Sequence, residues 1–435
     1  MTDSALVDRR FNRWMNDSDT LEQSLARVLA SALVVRRHAL QSFLLEDLGQ
    51  HDETALERAA DRLLSRPFVE RMADGVRVAE PMAAAVRNWF HESDPDGYVM
   101  VNRRLLGDEI AAMEDREDET ERWFARGRVA FYLAAIDPAE SAESFIETFA
   151  EPPPGDVGPW RSWLADLVLK QRDRLTGQAR ALNFFEGFTA YKDGRFRVAQ
   201  EHLEAVIESA EQDRYRAIAL HLWSLIRDRD PRVDSRLREA VELSAQLGLA
   251  ENEVMARNTL VFRLIGQGYA KKRHWDPAIA EAAMLADANL ARAETTRDPY
   301  LQAWCRSAAA QSRWLRDTDS RRRPDLVSDE DAEQVIGLLA VATDQALRIG
   351  DIHSVVESVN ESAQILRDRG QHGRAVSILE DYFYRIRDLD PPPSARRWGQ
   401  TASSIARQRL DEGTRGRLRR LQGLLREWNP PASRS

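Results

Sequence analysis

From about residue 180 onward, small residues and glycines recur at the spacing of paired antiparallel helices. In the stretch ALNFFEGFTAYKDGRFRVAQEHLEAVIESA, Gly187 and Ala199 stand where two helices must approach closely. Gly194 stands where the chain must turn, Tyr191 precedes that turn, and Phe196 and Leu203 anchor the second helix. Gly266, Trp275 and Ala278 repeat these relative positions, and so do Ala363, Gly370, Ala375 and Leu379. Leu247-Gly248 and Ile349-Gly350 each close an apolar helix, as glycine does at helix ends. Units around His221–Ala245 and Tyr300–Ala346 keep helical pairing without the pattern. Five to six pairs of irregular length are expected. One such pair cannot bury its apolar faces alone, so neighbours must stack.

Composition supports an all-α chain. There are only 21 Gly and 17 Pro in 435 residues, too little turn chemistry for a many-stranded protein. Val, Ile and Thr are sparse beside the helix formers Ala, Leu, Arg and Glu. The spacing of Gly187, Gly194, Phe196, Ala199 and Leu203 resembles the tetratricopeptide repeat. That resemblance implies a solenoid over 160–428 in which the first helix of each pair lines a concave groove. Alignment on Gly187 places Phe184, Phe188, Tyr191 and Lys192 in the groove. Alignment on Gly266 adds Arg263 and Gln267, and alignment on Ala363 adds Asn360, Gln364 and Arg367. Aromatic, Arg and amide side chains in one groove suit a peptide or helix. Phe184 and Phe188 fit a core between repeats equally well.

Ahead of the repeats the pattern differs. Residues 1–20 read as a polar arm with Phe11 and Trp14 as docking points. Thr20 with Gln23 reads as a capping box, and Leu21, Leu25, Val28, Leu29, Ala32 and Leu33 follow at helical spacing. A short helix Leu40 to Leu48 and a third from Asp52, with Leu56, Ala59, Ala60, Leu63 and Leu64 on one face, come next. Val69 to Met72, then Ala73-Asp74-Gly75, then Val76 to Val78 read as a β-hairpin. A helix from Pro81 to Phe90 completes a winged-helix pattern over 21–106. The stretch LLSRPFVERMADGVRVAEPMAAAVRNWF resembles the winged-helix segment of signal-transducing NTPases with helical-repeat sensors, the STAND regulators. WFARGRVAFYLAAIDPAESAESFIETF, within connecting helices at 107–150, resembles the helices that join that segment to the repeats. In such proteins an NTPase module precedes the winged helix, and only about twenty residues precede it here. EPPPGDVGP at 151–159 reads as a stiff linker, since three prolines cannot continue a helix. Asp317 to Asp329 reads as a loop and Pro391-Pro392-Pro393 as a break. Two capping helices, Ser394 to Leu410 and Thr414 to Trp428, lead to a disordered tail at 429–435.

Several chemistries lack their residues. No GxxxxGK[ST] loop occurs, and none of the four lysines (Lys170, Lys192, Lys271 and Lys272) follows a glycine. HExxH and GxSxG are absent as well. Cys305 is the only cysteine, so an internal disulfide or a thiolate metal cluster is impossible. Beside Trp304, Ala303 and Ala308 it reads as a packed thiol. His202 and His221 read as packed or solvated helix residues. No run approaches the ~20 apolar residues of a membrane span, and no signal peptide opens the chain, so a cytoplasmic protein is expected.

Residues 1–150 hold 29 acidic and 18 basic side chains, a net of −11, which leaves +2 of the total −9 for the remainder. That acidic portion repels phosphate. Arg58, Arg62 and Arg66 on the would-be recognition helix are offset by Asp52, Glu53, Glu57 and Asp61. Arg321-Arg322-Arg323 is flanked by Asp317, Asp319, Asp325 and Asp329. The sequence therefore points to a non-enzymatic scaffold, adaptor or sensor with no cofactor. A protein or peptide partner is expected, with a separately encoded NTPase or effector in the place of the missing module. A DNA-binding regulator with a ligand-sensing repeat domain is the second reading, and no membrane role is expected.

Overall fold

The computed structural model describes residues 3–33, 53–72, 75–114, 118–153, 157–227, 229–271, 277–296, 298–318 and 327–428. Among them are 20 α-helices and one two-stranded sheet, so the protein is an all-α helical-repeat chain. It divides into two compact units. One comprises Met1–Pro153 with Gly158–His202, and the other Pro154–Val157 with Leu203–Ser435. The expected helix at Leu40 to Leu48, the Ala73-Asp74 turn, Trp275, the arginine run at 321–323 and the tail lie outside the described residues.

The first unit opens with a correction. Residues expected as a polar arm form helix α1 (Asp3–Asp17). Val7, Phe11, Trp14 and Met15 fall at i, i+4, i+7 and i+8, which makes one apolar stripe. Trp14 is only 3% exposed and meets Phe68 edge-on at 5.7 Å, and Phe11 packs 6.2 Å from Trp89. Helix α2 (Thr20–Ser31) is capped by Asp19 rather than by Thr20. The Asp19 carboxylate accepts the Glu22 N–H at 2.8 Å. Helix α3 (Glu53–Leu64), strands β1 (Val69–Arg71) and β2 (Val76–Val78), and helix α4 (Met82–Ser93) follow. The strands pair antiparallel, Val69 opposite Val78, with a Glu70–Arg77 ion pair of 2.7 Å directly across. Leu25, Val28, Leu29, Leu56, Leu63, Val78, Val86, Phe90 and Tyr98 form the core of this region.

A buried carboxylate ties α1, α2 and the end of α3 together. Glu22 is fully buried and accepts from Trp14 Nε1 at 3.0 Å, Arg66 Nε at 2.7 Å and Arg66 Nη2 at 3.1 Å. Arg62 also approaches it at 3.7 Å and pairs with Asp19. Two of the three arginines a DNA-reading helix would need are thus held by carboxylates of its own fold.

Helices α5 (Pro95–Glu114), α6 (Glu119–Leu133), α7 (Pro138–Ala150), α8 (Val157–Lys170) and α9 (Ala179–Lys192) continue the first unit. The helix after the triple proline starts at Val157, inside the expected linker. Pro159 falls in its first turn, where proline's missing N–H costs nothing. An aromatic core joins α7 to α9 through Phe145, Phe149, Phe184 and Phe185.

Helix α10 (Phe196–Ile207) bridges to the second unit, which contains five complete pairs. These are α11 (Arg214–Ile226) with α12 (Val233–Gln246), α13 (Ala250–Lys271) with α14 (Pro277–Ala293), α15 (Pro299–Asp317) with α16 (Asp329–Arg348), α17 (Ile352–Asp368) with α18 (His372–Ile386), and α19 (Arg396–Ile405) with α20 (Glu412–Trp428). Each helix packs on the next, and the first helices of successive pairs also touch, as a tetratricopeptide-like solenoid requires. Gly370 closes the pair α17 with α18. Its φ is +73°, its N–H reaches the Arg367 carbonyl, and Gln371 N–H reaches back to the Leu366 carbonyl at 2.8 Å. Gly194, Gly248 and Gly350 close their helices in the same way.

Two glycines of this unit should respond oppositely to alanine. Gly370→Ala forces a side chain into the left-handed region and should cost about 1–2 kcal/mol. Exposed Gly337, in the interior of α16 with open space at its Cβ position, should gain about 0.5–1 kcal/mol as alanine. Urea midpoints at unchanged slope measure both. In the first unit, Glu22→Ala leaves the Arg66 guanidinium without its partner and should cost about 3 kcal/mol. The unfolding of that unit by thermal melt measures the loss.

Candidate partner-binding groove

The first helices of the last three pairs enclose a pocket of about 370 Å³. Gln311 comes from α15, Glu357, Asn360, Glu361, Gln364 and Arg367 from α17, and Arg397, Gln400 and Thr401 from α19. Their convergence follows from pair stacking, which places α15, α17 and α19 side by side. Residues 357, 361 and 364 share one face of α17 because seven residues make about two turns.

Asn360 is 2% exposed, and its Oδ1 accepts a 2.7 Å hydrogen bond from the Thr401 hydroxyl. The other half of its amide has no hydrogen-bond partner among the described residues. Arg367 donates to the Ser404 hydroxyl at 3.1 Å and to the neighbouring Asp368 at 2.8 Å. Arg397 pairs with Glu357. Two guanidiniums and two carboxylates make the lining formally neutral, and Gln311, Asn360, Gln364 and Gln400 supply four amides. Each amide donates and accepts, which is the complement of a peptide bond.

Among the residues expected in the groove, the structure brings Asn360, Gln364 and Arg367 together at this pocket. Arg263 and Gln267 are committed elsewhere, both donating to Asp234 at 2.7 Å. Burial works to raise the Asp234 carboxyl, but those two hydrogen bonds, together with the charges of Arg263 and Arg238, hold it below its ordinary value. Phe184 and Phe188 are a correction. They are 0% and 5% exposed, with rings edge-on to Phe149 at 5.2 and 4.9 Å, so burial in the first unit takes both out of reach of a partner. Tyr191 is half-buried against Phe196, and Lys192 is exposed at the end of α9.

Sequence reasoning missed Gln311, Glu357, Glu361, Arg397, Gln400 and Thr401. Glu357 and Glu361 were within reach, since they share the helical face of Gln364. The α19 residues carry no repeat consensus to align on. An aromatic patch was missed as well. Phe262 on α13 stacks on Trp304 of α15 at 5.9 Å and 25°, and Tyr300 lies 6.1 Å from Trp304. Tyr300, Trp304 and Gln311 fall within about 40° of one another around α15, so patch and pocket occupy the same strip of the helix.

The histidines singled out by sequence are engaged within the fold. His202 Nδ1 lies 3.0 Å from Asn183 Oδ1, and His221 Nε2 lies 3.2 Å from the Thr259 hydroxyl. No group of three or more metal-ligating side chains occurs among the described residues. No described helix is long and apolar enough to cross a membrane.

No family model matches the sequence, and no curated protein matches it. Several solved structures align with the chain, among them these two. One is a signal transduction ATPase with numerous domains carrying a tetratricopeptide repeat sensor, from Pyrococcus horikoshii. It is 10% identical with a TM-score of 0.45, and the alignment covers 96% of this chain and 65% of that one. This chain therefore spans just under two thirds of that protein's length. The other is a circular tandem repeat protein with novel repeat topology, 13% identical with a TM-score of 0.21, covering 94% and 95% of the two chains. Neither likeness is close enough to define the fold, and the helical-repeat class rests on the geometry of this chain.

Cys305 offers a direct check on the packing behind the groove. It is 1% exposed, accepts from Asn289, and burial pushes its thiol up to about 12. A raised value leaves almost no thiolate at pH 8. The native protein should therefore resist an aromatic disulfide reagent at that pH and react with one equivalent once denatured. Fast reaction of the native protein would show that α15 does not pack as described.

Proposed function

We propose that this chain is a non-enzymatic protein-binding scaffold or sensor that holds an extended segment of a partner protein across α15, α17 and α19. The observation that carries this reading is the pocket amide set. Asn360 is buried with one half of its amide fixed by Thr401, and Gln311, Gln364 and Gln400 surround it. A polar, formally neutral cleft with four amides matches a peptide main chain better than an apolar small molecule. The exposed ring of Tyr300 beside Trp304 offers an anchor for an apolar partner side chain on the same strip.

The helices and hairpin of 21–106 fit a winged-helix-like module, here packed as a structural or docking element. Together with the repeats they suit a bacterial signalling or defence setting in which another polypeptide supplies the NTPase or effector. That placement is analogy from organisation. The DNA-binding alternative is disfavoured by Arg62 and Arg66, whose charges are engaged by Asp19 and Glu22.

A photo-reactive residue at position 311 of the full chain, expressed in its native host, tests the groove. It should cross-link one discrete protein. With that protein in hand, the double change Gln364→Ala and Gln400→Ala should weaken binding roughly tenfold, since each amide hydrogen bond contributes about 0.5–1.5 kcal/mol. Both side chains are partly or fully exposed, so helicity should be unchanged. Cross-links to nucleic acid, or binding that the double change leaves intact, would overturn the assignment.

A further inference from the structure

The last helix pair is strongly cationic within an acidic chain. Residues 394–428 hold nine arginines against Asp411, Glu412 and Glu427, a net of +6 where the whole chain carries −9. Upstream in the same unit, many arginines are matched to carboxylates. Arg263 holds Asp234, Arg313 holds Asp287 and Arg385 holds Asp344, at 2.7, 2.7 and 3.2 Å. In the last pair Arg397 and Arg417 keep that habit, with Glu357 and Glu380. Arg396, Arg407, Arg409, Arg419, Arg420 and Arg426 do not. All six are exposed and have no carboxylate partner among the described residues. Arg415 donates to the Leu410 carbonyl at 3.0 Å.

Apart from Arg426 in the last turn, this charge does little for the helix that carries it. The apolar side of α20 is fully used, with Leu418, Leu421 and Leu425 buried, so arginines dominate its exposed side. Arg415 sits in the first turn, where the macrodipole favours anions. Arg415 and Arg419 are like charges one turn apart, which weakens a helix. An arrangement that costs helix stability and lacks internal partners has the character of a binding surface.

We propose that the α19–α20 end binds an acidic segment of a partner protein, a stretch rich in Asp and Glu. Guanidinium groups can take carboxylates in forked pairs, as Arg374 does with both oxygens of Glu333 in this unit. From Arg415 to Arg426 the helix rises about 16 Å, the length of about five residues of extended chain. A nucleic acid fits less well. Its long line of phosphates would pass a protein of net charge −9. A short segment meets only the local field, which is screened beyond about 8 Å at physiological salt. Both tryptophans of this pair are engaged within the fold rather than offered to bases, since Trp398 is fully buried and Trp428 packs 5.8 Å from Phe383 and donates to the Leu389 carbonyl. Arg407, Arg409, Arg419 and Arg420 do not line the amide pocket, and their binding does not require that pocket to be occupied.

Fluorescence anisotropy of the full chain tests the assignment. The probes are a labelled peptide of about 12 residues alternating Glu and Asp with Gly and Ser, and a labelled DNA duplex of comparable length. The peptide should bind at about 50 mM salt and weaken at least roughly tenfold by about 300 mM. The variant Arg407→Gln, Arg409→Gln, Arg419→Gln, Arg420→Gln should lose at least roughly tenfold in affinity at unchanged melting temperature, since these side chains are solvated. The same four positions as lysine should keep most of the binding, which separates charge from fold. The groove change Gln364→Ala with Gln400→Ala should leave peptide affinity untouched. Absence of peptide binding at low salt, equal binding by the glutamine variant, or tighter binding of the duplex than of the peptide would each overturn the proposal.

Discussion

Four helix junctions in this protein reverse the chain within three residues, and each reversal rests on a glycine held at positive φ. Gly194, Gly248, Gly350 and Gly370 lie between +72° and +76°. Each is followed by a residue whose N–H reaches back five positions, Arg195 to Ala190, Leu249 to Ser244, Asp351 to Ala346 and Gln371 to Leu366. Two of these turns lie within a pair and two lie between pairs. The same local device therefore sets both the pairing of helices and the stacking of pairs. It works because glycine alone adopts that backbone without a steric penalty and because the returning N–H satisfies carbonyls that a helix end would otherwise leave open.

Stacking then decides what the first helices must do. They lie side by side, and their contacts carry buried polar bonds as well as apolar packing. Asn252 donates to the Ala217 carbonyl at 3.2 Å, Ser358 bonds Ser307 at 3.3 Å, Thr401 bonds Asn360 at 2.7 Å, and Trp398 donates to the Val356 carbonyl at 2.7 Å. Polar bonds in a low-dielectric contact are strong when made and costly when broken, so they fix the register between neighbouring helices. They also leave polar atoms along the strip these helices share. The amide pocket lies on that strip, so the features that hold the solenoid in register also shape the surface offered to a partner.

Legibility in the sequence followed the same physics. Helix ends were readable because Gly194, Gly248, Gly350 and Gly370 announce them locally. Asn360, Gln364 and Arg367 were readable because Ala363 marks a close helix contact and fixes the face of α17. Phe184 and Phe188 satisfy the same spacing, but spacing does not reveal that Phe145 and Phe149 of α7 supply an aromatic core for them. Helix α1 was missed for a related reason. Its polar majority conceals a four-residue stripe whose value depends on Phe68, Trp89 and Glu22, residues far along the chain. Arg397 and Gln400 sit on a helix with no consensus at all, and only the packing of α17 against α19 brings them to Asn360.

Arginine use shows how far local charge counts mislead. Arg62 and Arg66 look like a nucleic-acid reader in the sequence, but the fully buried Glu22 turns them into an internal tie. A buried carboxylate is tolerable only when surrounded by donors, so its neighbouring cations are not available to an external phosphate. The arginines of α20 stand in the reverse situation, with few acidic residues nearby in sequence and none paired to most of them in space. Free charge is thus set by the carboxylates that the fold brings within reach, and among the described residues of the second unit, exposed arginines without a carboxylate are most numerous at its last helix pair.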